Sequence, residues 1–227
     1  MASVIDNRSD NLNEMLRSAF HESLIVADFF DESYLNQGFK EIQFNTGYSN
    51  IIFSKGFGDN CQLLLSKFVQ EKLQNGTVSL RIVRMGVSIN VPDVFIAIGD
   101  FTGSITVLVG SSGTILIGNC GQLNLDLRIG HGSRVFIGNK TTSNGARIVA
   151  INSLIALKRD VMLSDEILIQ GFDQHGIIDL KSRDIINQNR KKTIVGRHVW
   201  VGRRATLMPG VSIGDGSIVG AWRRLSR

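Results

Sequence analysis

With 227 residues, 43% of them hydrophobic and only 7% aromatic, the chain has room for one large domain or two modest ones, with a core of Ile, Val and Leu rather than of rings. Its two cysteines rule out a disulfide framework and fit free thiols in a reducing compartment. Residues 1–17 carry acids and no apolar stretch, and no window nears the roughly 18 apolar residues of a membrane helix, so a soluble cytoplasmic protein without a membrane span is expected.

Taken in order, residues 11–30 place Leu12, Met15, Leu16, Ala19 and Phe20 at helical spacing, with Asp10 or Asn11 as the cap. Residues 41–53 alternate weakly, as a strand does. Residues 62–73 read as a second helix through Leu63, Leu64, Phe68 and Leu73. After the Asn75-Gly76 turn signal, residues 78–83 alternate as a strand. Residues 1–93 are therefore expected to form a small mixed α/β segment that caps the remainder of the chain, since a stack of strands left open exposes unpaired edges.

From residue 94 the chain is rich in β-branched residues and punctuated by glycine. Val109-Gly110, Ile117-Gly118, Ile129-Gly130 and Ile137-Gly138 recur at spacings of eight and twelve, which two-residue insertions at corners would explain. Then a period of six sets in. Ile151, Leu157, Leu163 and Ile169 are six apart, and the phase resumes at Val195, Val201, Leu207, Ile213, Val219 and Leu225. Small or β-branched residues stand two positions before most of these. A period of six suits neither a helix nor plain strand alternation; it suits a triangular β-solenoid with one hexapeptide per side. Residues 94–227 are expected to form a mainly β, left-handed parallel β-helix. His175 is the next position of the six-fold phase after Ile169, and there the phase lapses. Residues 176–192 read as a polar, charged loop thrown out from one corner, a usual place for function on a rigid scaffold.

The net charge of +5 is uneven. Between residues 181 and 204, Lys181, Arg183, Arg190, Lys191, Lys192, Arg197, Arg203 and Arg204 face the single acid Asp184. A solvated loop is one reading; attraction of a phosphorylated cofactor or an acidic saccharide is the other. With no interleaved aromatics and no recognisable motif, nucleic acid is not an expected partner.

Asp173-Gln174-His175, the loop, and then Ile194-Val195-Gly196-Arg197-His198-Val199-Trp200-Val201-Gly202 form one constellation. The run Ala205–Ala221 completes it. The stretch 164–220 resembles the hexapeptide-repeat O-acetyltransferases. That family includes the maltose, galactoside and nodulation acetyltransferases and the enzymes that O-acetylate bacterial capsule and lipopolysaccharide sugars. The resemblance implies a homotrimer with coenzyme A between neighbouring solenoids, acetyl-CoA as co-substrate and a saccharide hydroxyl as acceptor.

A hydroxyl is a poor nucleophile at neutral pH and histidine has the intrinsic pKa of a base for it, so His175 is the candidate general base. The resemblance implies that Asp173 orients the imidazole or the acceptor, that Trp200 stands beside the active site, and that Asn187 contacts the acceptor. Arg203 and Arg204 are candidates for cofactor phosphates on charge alone, and Gly202 and Ala221, which fall in the family's motif, join them on the cofactor side. No metal site is expected, because four histidines without useful spacing do not make the three-histidine zinc site of a γ-type carbonic anhydrase.

The family continues past Gly-Ala with a further coil, whereas here the chain runs on as Trp222-Arg223-Arg224-Leu225-Ser226-Arg227. Arg223 falls where a small inward residue belongs, and a buried charge there is costly. The tail reads as a truncated or frame-shifted terminus. Two alternatives stand beside O-acetylation: an N-acetyltransferase acting on an amino-sugar nucleotide, and a truncated, non-catalytic solenoid scaffold.

Overall fold

The structure is a computed structural model describing residues 24–44, 51–86, 90–173, 175–187 and 191–226. Most of the helix expected over 11–30, with its cap, lies outside these residues, and so does Gln174; within the described part Val26–Asp28 makes a single 3₁₀ turn. The expected mainly β architecture is present as a parallel solenoid of about seven turns.

One side of the solenoid is a continuous ladder. Gln62–Ser66, Phe95–Ile98, Thr114–Ile117, Arg134–Ile137, Leu154–Leu157, Lys192–Val195 and Ser212–Ile213 succeed one another in parallel register. Facing it, Ile51–Phe53, Val78–Arg84, Thr102–Val109, Gln122–Ile129 and Thr142–Ala150 form the second ladder. Both ladders run across residue 93 without a break.

The long strands account for the spacings of eight and twelve. In the early coils two sides of the triangle are fused into one strand of eight or nine residues, so no two-residue corner insertion is needed. Paired residues there lie 20 apart, as Thr114 with Arg134 and Arg134 with Leu154. Thr142–Ala150 is the point of change. Its first residues pair with Met162–Leu163, its last with Ile167–Gln170, and its register against Gln122–Ile129 shifts between Ser143 and Ala146. That bulge bends the strand into two sides. Beyond the loop the coils have three short strands, and partners lie 18 apart, as Ile194 with Ser212 and Trp200 with Ile218.

In these regular coils the six-fold phase is a burial code. Val195, Val201 and Leu207 are fully buried, as are Thr193, Val199 and Ala205 two residues earlier. Ile151 departs from the expected phase: it lies on a corner and is 37% exposed, because the hexads begin only after it. The glycines after the aliphatics are set by steric approach. A Cβ on Gly196 would stand 2.6 Å from the backbone nitrogen of Asp215 in the next coil.

The expected helix over 62–73 is half strand. Gln62–Ser66 joins the first ladder with Leu63 and Leu65 fully buried, and only Lys67–Gln74 is helical. Pairing with Phe95–Ile98 overrides local propensity. Ser66 then starts the helix, its Oγ accepting the N–H of Val69 at 3.2 Å. The strand expected over 41–53 appears as Phe39–Ile42 and Ile51–Phe53, with residues 45–50 outside the described set. Phe39–Ile42 runs antiparallel at the edge of the first ladder. The preceding segment lies along the flank of that ladder, where Phe29, Phe30 and Tyr34 pack on Phe95, Leu116 and Phe136.

Candidate active site

The candidate residues sit on different corners of the prism. The chain leaves the third side after Gln170 and returns at Lys192, so the inserted loop springs from the corner already occupied by Ile151 and Asn152 in the coil above. This loop is a folded hairpin. Ile178 and Ile185 form an antiparallel bridge, and the N–H of Ile186 donates to Ile177 O at 2.8 Å. At its tip the Asp179 carboxylate accepts the N–H groups of Lys181 and Ser182, both at 2.8 Å, and these bonds hold the acid below the usual carboxylate range. The polar character expected of the loop needs correction: Ile177, Ile178, Leu180, Ile185 and Ile186 all point largely into solvent.

Where the hairpin meets the solenoid there is a cleft of 230 Å³ whose lining includes Phe172, Asp173, His175, Ile185, Asn187 and Lys191. Asn187 is its clasp. Its Oδ1 accepts the N–H of Ile177 at 2.7 Å. Its Nδ2 donates to the backbone oxygen of His175 at 2.8 Å and, more loosely, to Asp173 Oδ2 at 3.4 Å. The backbone of His175 is thereby fixed while its imidazole is exposed and, among the described residues, without a hydrogen-bond partner. The sequence thus led to Asp173, His175 and Asn187, which the structure brings together. It did not single out Ile151, Asn152 or Phe172; the shared corner is visible only once the coil length is known. In the sequence Lys191 is only one charge of a cluster.

Trp200 lies elsewhere, on the second side. It stands in an outward column between Met162 and Ile218, 46% exposed, its indole N–H donating to Ser164 Oγ at 3.2 Å. Arg203 and Arg204 occupy the next corner and are already paired. Arg203 meets Asp165 at 2.9 Å and Glu166 at 2.8 Å, Arg204 also binds Glu166, and the Arg204 guanidinium lies 4.4 Å over the ring of Trp222. The two guanidiniums, Arg204 foremost, hold the Glu166 carboxyl down at about 2. Gly202 is buried against the coil below, where a Cβ would meet Ala221 N at 2.7 Å; Ala221 itself is exposed. Within one chain, then, Trp200, Gly202, Arg203, Arg204 and Ala221 are absent from the lining of the His175 cleft. Another histidine is built more like a dyad: His198 Nδ1 lies 2.7 Å from Asp160 Oδ2, but on the corner between the first and second sides. Among the described residues no three metal-ligating side chains cluster.

Residues 192–222 match the family described as bacterial transferase hexapeptide (six repeats). The particular likenesses are to polysialic acid O-acetyltransferases. That of Escherichia coli O1:K1 / APEC is 34% identical over 80 residues, covering 35% of this chain and 26% of the relative. That of Neisseria meningitidis is 36% identical over 70 residues, covering 31% and 32%. The chain's matched stretches thus span about a quarter to a third of these relatives. The crystal structure of the polySia-specific acetyltransferase NeuO superposes with a TM-score of 0.57 at 23% identity, over 77% of this chain and 80% of that one. The shared fold is the left-handed β-helix.

Proposed function

We propose that the chain is an O-acetyltransferase that moves an acetyl group from acetyl-CoA to a hydroxyl of a saccharide. The observation that carries this reading is His175, held by its backbone in a cleft at the foot of the corner hairpin with its imidazole open to a substrate. The likeness to polysialic acid O-acetyltransferases supports an acidic glycan as acceptor. In this mechanism the imidazole takes the proton of the acceptor hydroxyl as the oxygen attacks the thioester carbonyl. The C–S bond then breaks, and the thiolate leaves with that proton.

We place the cofactor-side candidates, Trp200, Gly202, Arg203, Arg204 and Ala221, on a neighbouring copy. Their separation from His175 within one chain supports a homotrimer, in which one chain's hairpin meets the next chain's second side. The exposed hairpin isoleucines and the Met162, Trp200 and Ile218 column supply apolar surface for that contact. Arg203 and Arg204 would have to share their carboxylate partners with cofactor phosphates. The free thiols of Cys61 and Cys120 fit the cytoplasmic setting we propose.

Calorimetric titration with acetyl-CoA, followed by transfer assays on acidic glycans, tests the reading. We expect His175→Ala to lower turnover by about 10²- to 10⁴-fold while acetyl-CoA still binds. A folded wild-type chain that binds no acetyl-CoA would refute it.

A further inference from the structure

Three of the eight basic residues between 181 and 204 meet carboxylates on the coil corners. The residues on the coil corners are neutralised locally: Arg197 by Asp215 at 2.7 Å, Arg203 by Asp165 and Glu166, and Arg204 by Glu166. Lys191 is different. It lines the His175 cleft, it is half-buried, and no carboxylate among the described residues lies within ion-pair distance of its ammonium. Its main chain is anchored, because its carbonyl accepts the N–H of Leu154 at 3.0 Å. Asp173 lines the same cleft, but its carboxylate is met by the amide of Asn187 rather than by Lys191. The same lining includes the apolar side chains of Ile151, Phe172 and Ile185. A half-desolvated ammonium in such a cleft attracts an anion more strongly than one in open solvent.

We propose that Lys191 is a specificity-determining residue that binds the carboxylate of an acidic saccharide while the sugar's hydroxyl faces His175. This rests on the acyl-transfer reading of the cleft and names its acceptor class from charge. Lysine is a point charge on a flexible stem rather than a bidentate fork. It therefore selects for the presence of an acid and not for a fixed carboxylate plane.

The test is direct binding, which needs no turnover. Short oligosialic acid and its methyl ester, which keeps the shape and removes the charge, are titrated into the full chain at low and high salt. We expect the acid to bind about fivefold tighter than the ester at low salt, and the preference to shrink with ionic strength. Lys191→Gln should abolish the preference, Lys191→Arg should retain it, and both should leave acetyl-CoA affinity unchanged. Equal binding of acid and ester by the wild type overturns the proposal, as does discrimination that survives in Lys191→Gln. A Lys191→Gln chain that loses acetyl-CoA affinity instead assigns the ammonium to cofactor phosphate and also overturns it. Charge-selective glycan binding without acetyl-CoA binding would uphold Lys191 and defeat the acyl-transfer reading alone.

Discussion

Asn187 has every strong hydrogen bond of its amide committed to the hairpin and the corner: Ile177 N–H on one side, His175 O and Asp173 on the other. A side chain used this way acts on chemistry through the residue it holds. Asn187→Ala frees the His175 backbone without touching the imidazole, so kcat should fall by about a hundredfold while the KM for acetyl-CoA stays put. Asn187→Asp keeps the acceptor for Ile177 but removes the donor to His175, and should recover little of the loss. If both variants kept wild-type kcat, the clasp would be structural only. His175 was legible in the sequence because the six-fold phase ran into it and then lapsed. The clasp was not, because twelve residues of chain separate its ends, and only the hairpin's closure shows that the amide faces inward.

Corners show why the elements stack as they do. Asn119 Oδ1 accepts the N–H of Asp100 at 2.9 Å, Asn139 Oδ1 accepts that of Asn119 at 2.9 Å, and Asp215 Oδ1 accepts that of Arg197 at 2.7 Å. In each case the side chain of one coil caps the backbone of the coil before it. Where the ladder would next call on Arg159, the N-terminal segment takes over: Asn139 N–H donates to Phe29 O and Arg159 N–H to Asp28 O. Asn139 is 2% exposed, so Asn139→Ala leaves the N–H of Asn119 without its partner at a cost of about 1–3 kcal/mol. The urea midpoint should drop accordingly, with exposed Gln122→Ala as a control that leaves it in place; equal midpoints would mean that the ladder adds nothing. At this scale the regular hexads were plain from residue 193 onward, since each buried position repeats. The early coils were not. Fusing two sides into one strand replaces the six-fold count with eights and twelves, and a strand such as Gln62–Ser66 is paired by residues about thirty positions away that no local pattern reveals.

At the scale of the whole molecule, the two described ends are finished differently. At one, antiparallel Phe39–Ile42 covers the edge of the first ladder and Lys67–Gln74 packs Val69 and Leu73 into the core; because residues 51–53, 62–66 and 78–84 already belong to the ladders, we propose that only part of residues 1–93 serves as the cap. At the other, the tail that breaks the family pattern continues the prism. Arg224–Leu225 pairs in register with Thr206–Leu207, Thr206 N–H donates to Arg223 O at 2.7 Å, and Met208 N–H donates to Leu225 O at 2.8 Å. Arg223 escapes the cost of a buried charge because it is exposed. In a solenoid each coil is stabilised mainly by its neighbours. Removing residues 221–227 takes away at least three backbone hydrogen bonds among the described residues, the Leu225 cover over Leu207 and the Trp222 ring under Arg204. At roughly 1 kcal/mol per bond and 2–4 °C per kcal/mol for a chain of this size, the melting temperature should fall by about 5 °C or more. Scanning calorimetry on the shortened chain decides it. An unchanged melting temperature would mean that these residues do not form a coil in solution. A fall would make them a working part of the prism, and it would move any weakness in cofactor binding from this tail to the already paired Arg203 and Arg204.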